Sequence, residues 1–228
     1  MKLISRAAVV AAALSFSAVA SQAQVLNTGL GVGPMDANWT VNVFQISNPL
    51  NVLYTGQAYR ISSIPGVWEN NSAPTYNWIG ASASGSLPRG NLPGGFGYRY
   101  IFTTNLLGTG PIVGSMGWDN KFVGFSFDGG ATTGLFGNNA ADFNEFGFCR
   151  NSDGEFDNKP QPTCTRDFTI ASSNIGQAST FSVVIDGDLA TDGLLIRNAT
   201  VPEPSTYALM AAGLAGIFGV SRRRRNNA

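Results

Sequence analysis

Tyr98-Arg99-Tyr100-Ile101-Phe102-Thr103 is the stretch on which the fold turns. Aromatic residues at every second position put 98, 100 and 102 on one face and Arg99, Ile101 and Thr103 on the other, which is the period of a β-strand. The same alternation recurs in Trp39, Val41 and Val43 against Thr40, Asn42 and Phe44. It recurs again in Phe181, Val183 and Ile185 against Ser182, Val184 and Asp186. In residues 121–128, strict alternation places Val123, Phe125 and Phe127 on one face and Phe122 and Ser126 on the other. Leu194 to Arg197 reads as the closing strand. Between residues 24 and 200 no stretch keeps an apolar 3.6-residue period for three turns, and 25 Gly and 9 Pro punctuate the strands. The expectation is an all-β domain, a β-sandwich with jelly-roll connections, whose two sheets bury their apolar faces against each other.

Composition excludes several chemistries. The 228-residue chain has no histidine and only two cysteines. A Ser-His-Asp or Cys-His triad, an imidazole base and a four-ligand Cys/His zinc site are therefore ruled out. The net charge of zero hides an asymmetry: Lys2, Arg6 and Arg222 to Arg225 lie at the ends, while residues 24–200 hold eight basic and thirteen acidic side chains, a net −5. An acidic body does not suit nucleic acid, whose binding needs clustered Lys and Arg.

The basic ends have their own logic. Lys2 and Arg6 precede an apolar run, Ala7 to Ala20, broken only by Ser15 and Ser17, and Ser21-Gln22-Ala23 follows. A positive start, a short apolar run and small residues before a cut describe a secretory signal peptide over residues 1–23. Signal peptidase is expected to cut after Ala23, with Ala20 the second choice. At the other end, residues 201–228 run Val-Pro-Glu-Pro-Ser-Thr, then an apolar segment from Tyr207 to Val220, then four arginines. As a helix the apolar segment would span about 21 Å. A bilayer core of roughly 30 Å makes it a short transmembrane helix, with the arginines retained on the cytoplasmic side.

That three-part tail resembles the PEP-CTERM sorting signal of exported proteins in Gram-negative bacteria. The resemblance implies processing by an exosortase, with Pro202, Glu203 and Pro204 as the sorting motif. It further implies passage through the inner membrane to the cell surface or extracellular matrix, in association with exopolysaccharide and biofilm. The body, residues 24–200, is similar to galactose-binding-like β-sandwich domains. The motifs behind that similarity are Asp36-x-x-Trp39, Trp68, Trp78-Ile79-Gly80, Tyr98-x-Tyr100, Trp118-Asp119-Asn120, Phe127-Asp128-Gly129 and Asp192-Gly193-Leu194.

Several residues are candidates for chemistry. Cys149 and Cys164 are expected to form a disulfide in an exported protein. Asp153, Glu155 and Asp157 alternate within that loop and are candidate Ca²⁺ ligands, although the full calcium-loop spacing is absent. Asp186-Gly187-Asp188 with Asp192 forms a second acidic group. Solvated Asp/Gly turns are the preferred reading of both groups. Trp68, beside the polar run Glu69-Asn70-Asn71-Ser72, and Trp118 are candidate sugar-stacking residues, whereas Trp39 and Trp78 are expected in the core. No pair of carboxylates is singled out for glycoside hydrolysis. The function expected is that of an exported, non-catalytic surface or matrix protein with no cofactor. A carbohydrate-binding module is the alternative, and a glycoside hydrolase the second alternative.

Overall fold

In the computed structural model the described residues are 23–132 and 165–202, except 66, 67, 69, 73, 96 and 120, together with Gly213. Ten strands and one short helix occur among them. They are β1 (Gln24–Val25), β2 (Met35–Gln45), β3 (Asn48–Arg60), β4 (Ile79–Gly80), β5 (Tyr98–Asn105), β6 (Ile112–Asp119), β7 (Lys121–Phe127), β8 (Arg166–Ile170), α1 (Ser172–Ile175), β9 (Thr180–Gly187) and β10 (Gly193–Val201). The all-β class read from the alternation is the class observed.

The strands form one hydrogen-bonded path, β7-β9-β5-β2-β3-β4-β10-β6-β8, with β1 added beside β10. Every pairing is antiparallel. The path curls so far that its ends meet. Phe125 of β7 lies with its ring centroid 5.5 Å from that of Phe168 on β8, the strand at the opposite end. Trp118 of β6 likewise packs on Phe122 of β7 at 5.4 Å. Two layers thus face each other, β7-β9-β5-β2 and β10-β6-β8. The long β3 joins them, pairing with β2 along most of its length and with β4 through Tyr59 and Arg60. Curling closes an apolar interior that a flat sheet of this length would leave wet.

The core is made of the residues the alternation selects. Trp39, Val43, Tyr98, Tyr100, Phe102, Phe181, Val183 and Ile185 are all 0% exposed. They pack against Ile112, Met116, Ile170, Leu194 and Ile196 of the opposite layer. The cross-strand register aligns the apolar faces, with Val41 opposite Phe102 and Phe102 opposite Val183.

One strand departs from the expected alternation. Phe122 and Phe125 both enter the core, while Val123 and Phe127 are half-buried. The pairing of β7 with β9 shifts register between Phe122 and Gly124, where φ is 153°. The extra residue of this bulge moves the inward face from odd to even positions on one side of Gly124. Strict alternation across 121–128 therefore misassigns Phe122.

A second, smaller core covers the back of β10. Ile61, Trp68, Trp78 and Leu195 form it, with Ile64 and Tyr76 packed alongside. Leu195 points away from the main interior, and the chain between β3 and β4 folds over it. The indoles of Trp68 and Trp78 lie 4.1 Å apart by centroid. Gly193 permits this contact, because a Cβ there would sit 3.0 Å from the Trp68 ring.

Candidate functional site

Two regions carry chemistry, at opposite ends of the layers. The first is a buried acidic pair where β9 turns into β10. Asp192 is fully buried and Asp119, at the end of β6, is 5% exposed. Asp119 pairs across the ladder with Gly193, the residue that follows Asp192. Gly187 makes room for the pair, since a Cβ there would collide with the Asp192 carboxylate at 2.3 Å.

Each carboxylate is held by named donors. The Tyr100 hydroxyl donates to Asp192 Oδ2 at 2.7 Å, and the Leu189 N–H donates to the same oxygen at 2.9 Å. Leu189 adopts φ of 68° to aim that N–H, a left-handed conformation unfavourable for a branched side chain. The Trp68 indole N–H donates to Asp119 Oδ2 at 3.1 Å. Oδ1 of Asp119 has no partner among the described residues. Burial, with the charge of Asp192 adding to it, pushes Asp119 up to about 8. Burial also raises Asp192, to about 6, against the opposing hydrogen bond from Tyr100. Burial and the neighbouring Asp192 charge hold the Tyr100 hydroxyl firmly protonated. Burial thus favours the protonated form of Asp119 more than that of Asp192 at neutral pH.

One protonated and one ionised carboxyl is the division of labour a glycosidase uses. Here both groups are enclosed, so neither presents a face to a sugar. Among the described residues no cluster of three or more acidic or thiol ligands is placed to hold a metal ion. The reading of Asp192 as part of a solvated turn is corrected: Asp188 stays at the surface near Arg89, 3.7 Å away, but Asp192 points into the core.

The tryptophan candidates are also relocated. Trp68 and Trp118 are each 3% exposed. Trp68 fills the small core behind β10 and anchors Asp119, and Trp118 packs on Phe122, so neither offers a stacking platform at the surface. The polar residues after Trp68 instead serve the fold: Asn71 Nδ2 donates to the Ile61 carbonyl and its Oδ1 accepts the Trp78 N–H. Trp39 and Trp78 are buried, as expected. A surface groove of about 240 Å³ does exist on the outer face of the β2-β5-β9-β7 layer, lined in part by Phe44, Arg99, Ile101, Thr103 and Ser182. Its Arg99 is engaged with Asp186 through two bonds of 2.8 and 3.1 Å.

The second region is the place where the chain leaves the domain. Gln24 pairs with Val201, so the first and last strands of the body lie side by side. The Gln24 side chain clamps the loop after β5, donating to the Asn105 carbonyl at 2.6 Å and accepting from the Leu107 N–H at 2.8 Å. Val201 is fully buried and Pro202 half-buried. Pro202 sits on Gly110, where a Cβ would come within 2.5 Å of the proline carbonyl oxygen. The sorting motif thus starts directly on the folded surface, without a spacer. Glu203, Pro204, the apolar segment 207–220 apart from Gly213, residues 1–22 of the expected signal peptide, Cys149, Cys164, Asp153, Glu155 and Asp157 lie outside the described residues. No helix among the described residues is long and apolar enough to cross a membrane.

A family model for the PEP-CTERM protein-sorting motif matches residues 200–225. The chain therefore carries the sorting signal inferred from its tail, which marks an exported protein sorted by an exosortase to the envelope of a Gram-negative bacterium. No curated protein and no solved structure matches the chain.

Proposed function

We propose that the protein is a non-catalytic structural component of the cell surface or extracellular matrix, delivered by its tail and released from the membrane when that tail is removed. The observation that carries this reading is the match at residues 200–225 joined to a body whose last strand ends at Val201. The last described strand of the body thus ends where the matched sorting signal begins. Enclosure of Asp119 and Asp192 supports the non-catalytic assignment, because a hydrolytic pair must reach both its water and its glycosidic oxygen. Burial of Trp68 and Trp118 counts against the two tryptophans named as sugar-stacking candidates. Association with exopolysaccharide belongs to this proposal as a consequence of where the protein is delivered.

The test is replacement of Pro202, Glu203 and Pro204 together by alanine. The expected result is a full-length precursor that stays in the membrane fraction, while the wild-type body appears at the surface. Normal surface delivery of the triple variant would show that the motif does not direct sorting.

A further inference from the structure

The pole from which the chain exits has an unusual surface. Val25 on β1 pairs with Thr200 on β10, Thr200 with Val113 on β6, and Val113 with Thr169 on β8. Directly paired residues share a face, so these four form one row across four strands. Val25 and Val113 are each 47% exposed, and Leu107, in the loop clamped by Gln24, is 74% exposed. The pole is also sparsely charged, Asp128, held by Ser179 and Thr180 beside the Leu106 loop, being an exception. No Asp, Glu, Lys or Arg occurs in residues 23–28, 104–114, 168–171 or 198–202, in a body that is otherwise acidic.

Chain length dictates what this pole faces. Tyr207, where the C-terminal apolar segment begins, is five positions after Pro202, and Ala20, the end of the N-terminal one, is four positions before Gln24. Fully extended, those leashes reach at most about 18 Å and 14 Å. They start from paired strands, so the C-terminal apolar segment, and the N-terminal one until signal peptidase cuts, are tied to one spot. A domain held so closely cannot turn its far end, with Asp119 and Asp192, towards the bilayer. Its acidic remainder is repelled by anionic headgroups more than this sparsely charged pole is. Tethering also raises the local concentration of lipid at the pole, so a patch too small to bind membranes alone becomes occupied.

We propose that the pole bearing Val25, Leu107 and Val113 is a lipid-contact surface that rests on the outer leaflet of the inner membrane while the tail is attached. This rests on the reading of the tail as a membrane-inserted sorting signal. Contact orients the domain so that Pro202 and the motif after it lie at the level of the headgroups. Removal of the tail ends the tether, and the weak patch then lets go.

The experiment uses the full-length chain in vesicles of phosphatidylethanolamine and phosphatidylglycerol. A photoreactive benzoyl-phenylalanine is placed singly at positions 25, 107 and 113, and at 50 and 52 as controls. Leu50 and Val52 are also exposed, at 92% and 51%, but lie near the β2–β3 hairpin at the opposite pole. Lipid adducts at 25, 107 and 113, and their loss at 50 and 52, are the expected result. Leu107→Asp should reduce the adduct at position 25 without lowering the melting temperature, because the side chain is exposed. Vesicle-bound protein that gives equal adducts at both poles, or none at 107, would overturn the lipid-contact surface and leave membrane insertion standing. Protein that does not float with the vesicles at all would overturn the insertion reading and the contact surface with it.

Discussion

Trp68→Ala is expected to destabilise the body by about 3–5 kcal/mol, the range for truncating a buried Trp. For a domain of this size that corresponds to a fall in melting temperature on the order of 10 °C. The loss has two sources. The cavity opens against Trp78, Ile61 and Leu195, behind a strand that is part of the main core on its other side. Asp119 also loses the indole N–H, its bond at 3.1 Å, and becomes a buried carboxyl with neither oxygen satisfied by a described residue. Trp68→Phe separates the two, since it keeps most of the volume and removes only the donor. Its cost should be about 1–3 kcal/mol, that of a buried group left unpaired. Thermal unfolding of the three proteins checks this. A change below about 0.5 kcal/mol for Trp68→Ala would return Trp68 to the surface, since exposed substitutions stay within that range.

The acidic pair should make stability fall as pH rises. Asp119 is pushed up to about 8 and Asp192 to about 6, both from an ordinary value of 3.8, chiefly by burial. The folded protein therefore binds these protons more tightly than the unfolded chain. Unfolding releases protons between about pH 4 and pH 8, so the stability they contribute is complete below that window and lost through it. At 1.36 kcal/mol per unit of differential pKa the loss over the window is at most on the order of 9 kcal/mol. Asp36, also raised by burial, adds to the same trend, and Asp128, lowered by its bonds to Ser179 and Thr180, acts with the opposite sign at lower pH. Asp119→Asn should flatten the decline between pH 5 and 8 by removing the carboxyl that ionises last. Melting curves across that range are the measurement. A wild-type protein whose stability rises steadily from pH 5 to 8 would show that the pair is not enclosed as described.

How much of this was legible in the sequence differs from element to element, for physical reasons. The inward faces of β2, β5 and β9 could be read directly, because each strand is regular and one face meets the core. Phe122 could not, because the bulge at Gly124 is a property of the pairing with β9 and leaves no mark in the period of residues 121–127. Trp68 was misleading for a different reason. Polar neighbours usually mean an exposed turn, but here Asn71 spends its amide on the backbone of Ile61 and Trp78, and that pins the segment over Leu195. The acidic pair joins residues 119 and 192, far apart in sequence, so only the tertiary ladder brings them together. The local signal was the spacing of Gly187 and Gly193 around Asp192, two positions where a side chain would collide with the pair or with Trp68. The sorting motif at residues 200–225 was legible, since its recognition depends on residue order rather than on packing.

The central claim is that the chain is delivered by a removable tail attached directly to a folded β-domain. Mass spectrometry of the wild-type protein recovered from the cell surface tests it most directly. The account predicts a polypeptide that begins near Gln24 and ends close to Pro202-Glu203-Pro204, without Arg222 to Arg225. Recovery of surface protein that runs intact to Ala228 would contradict it.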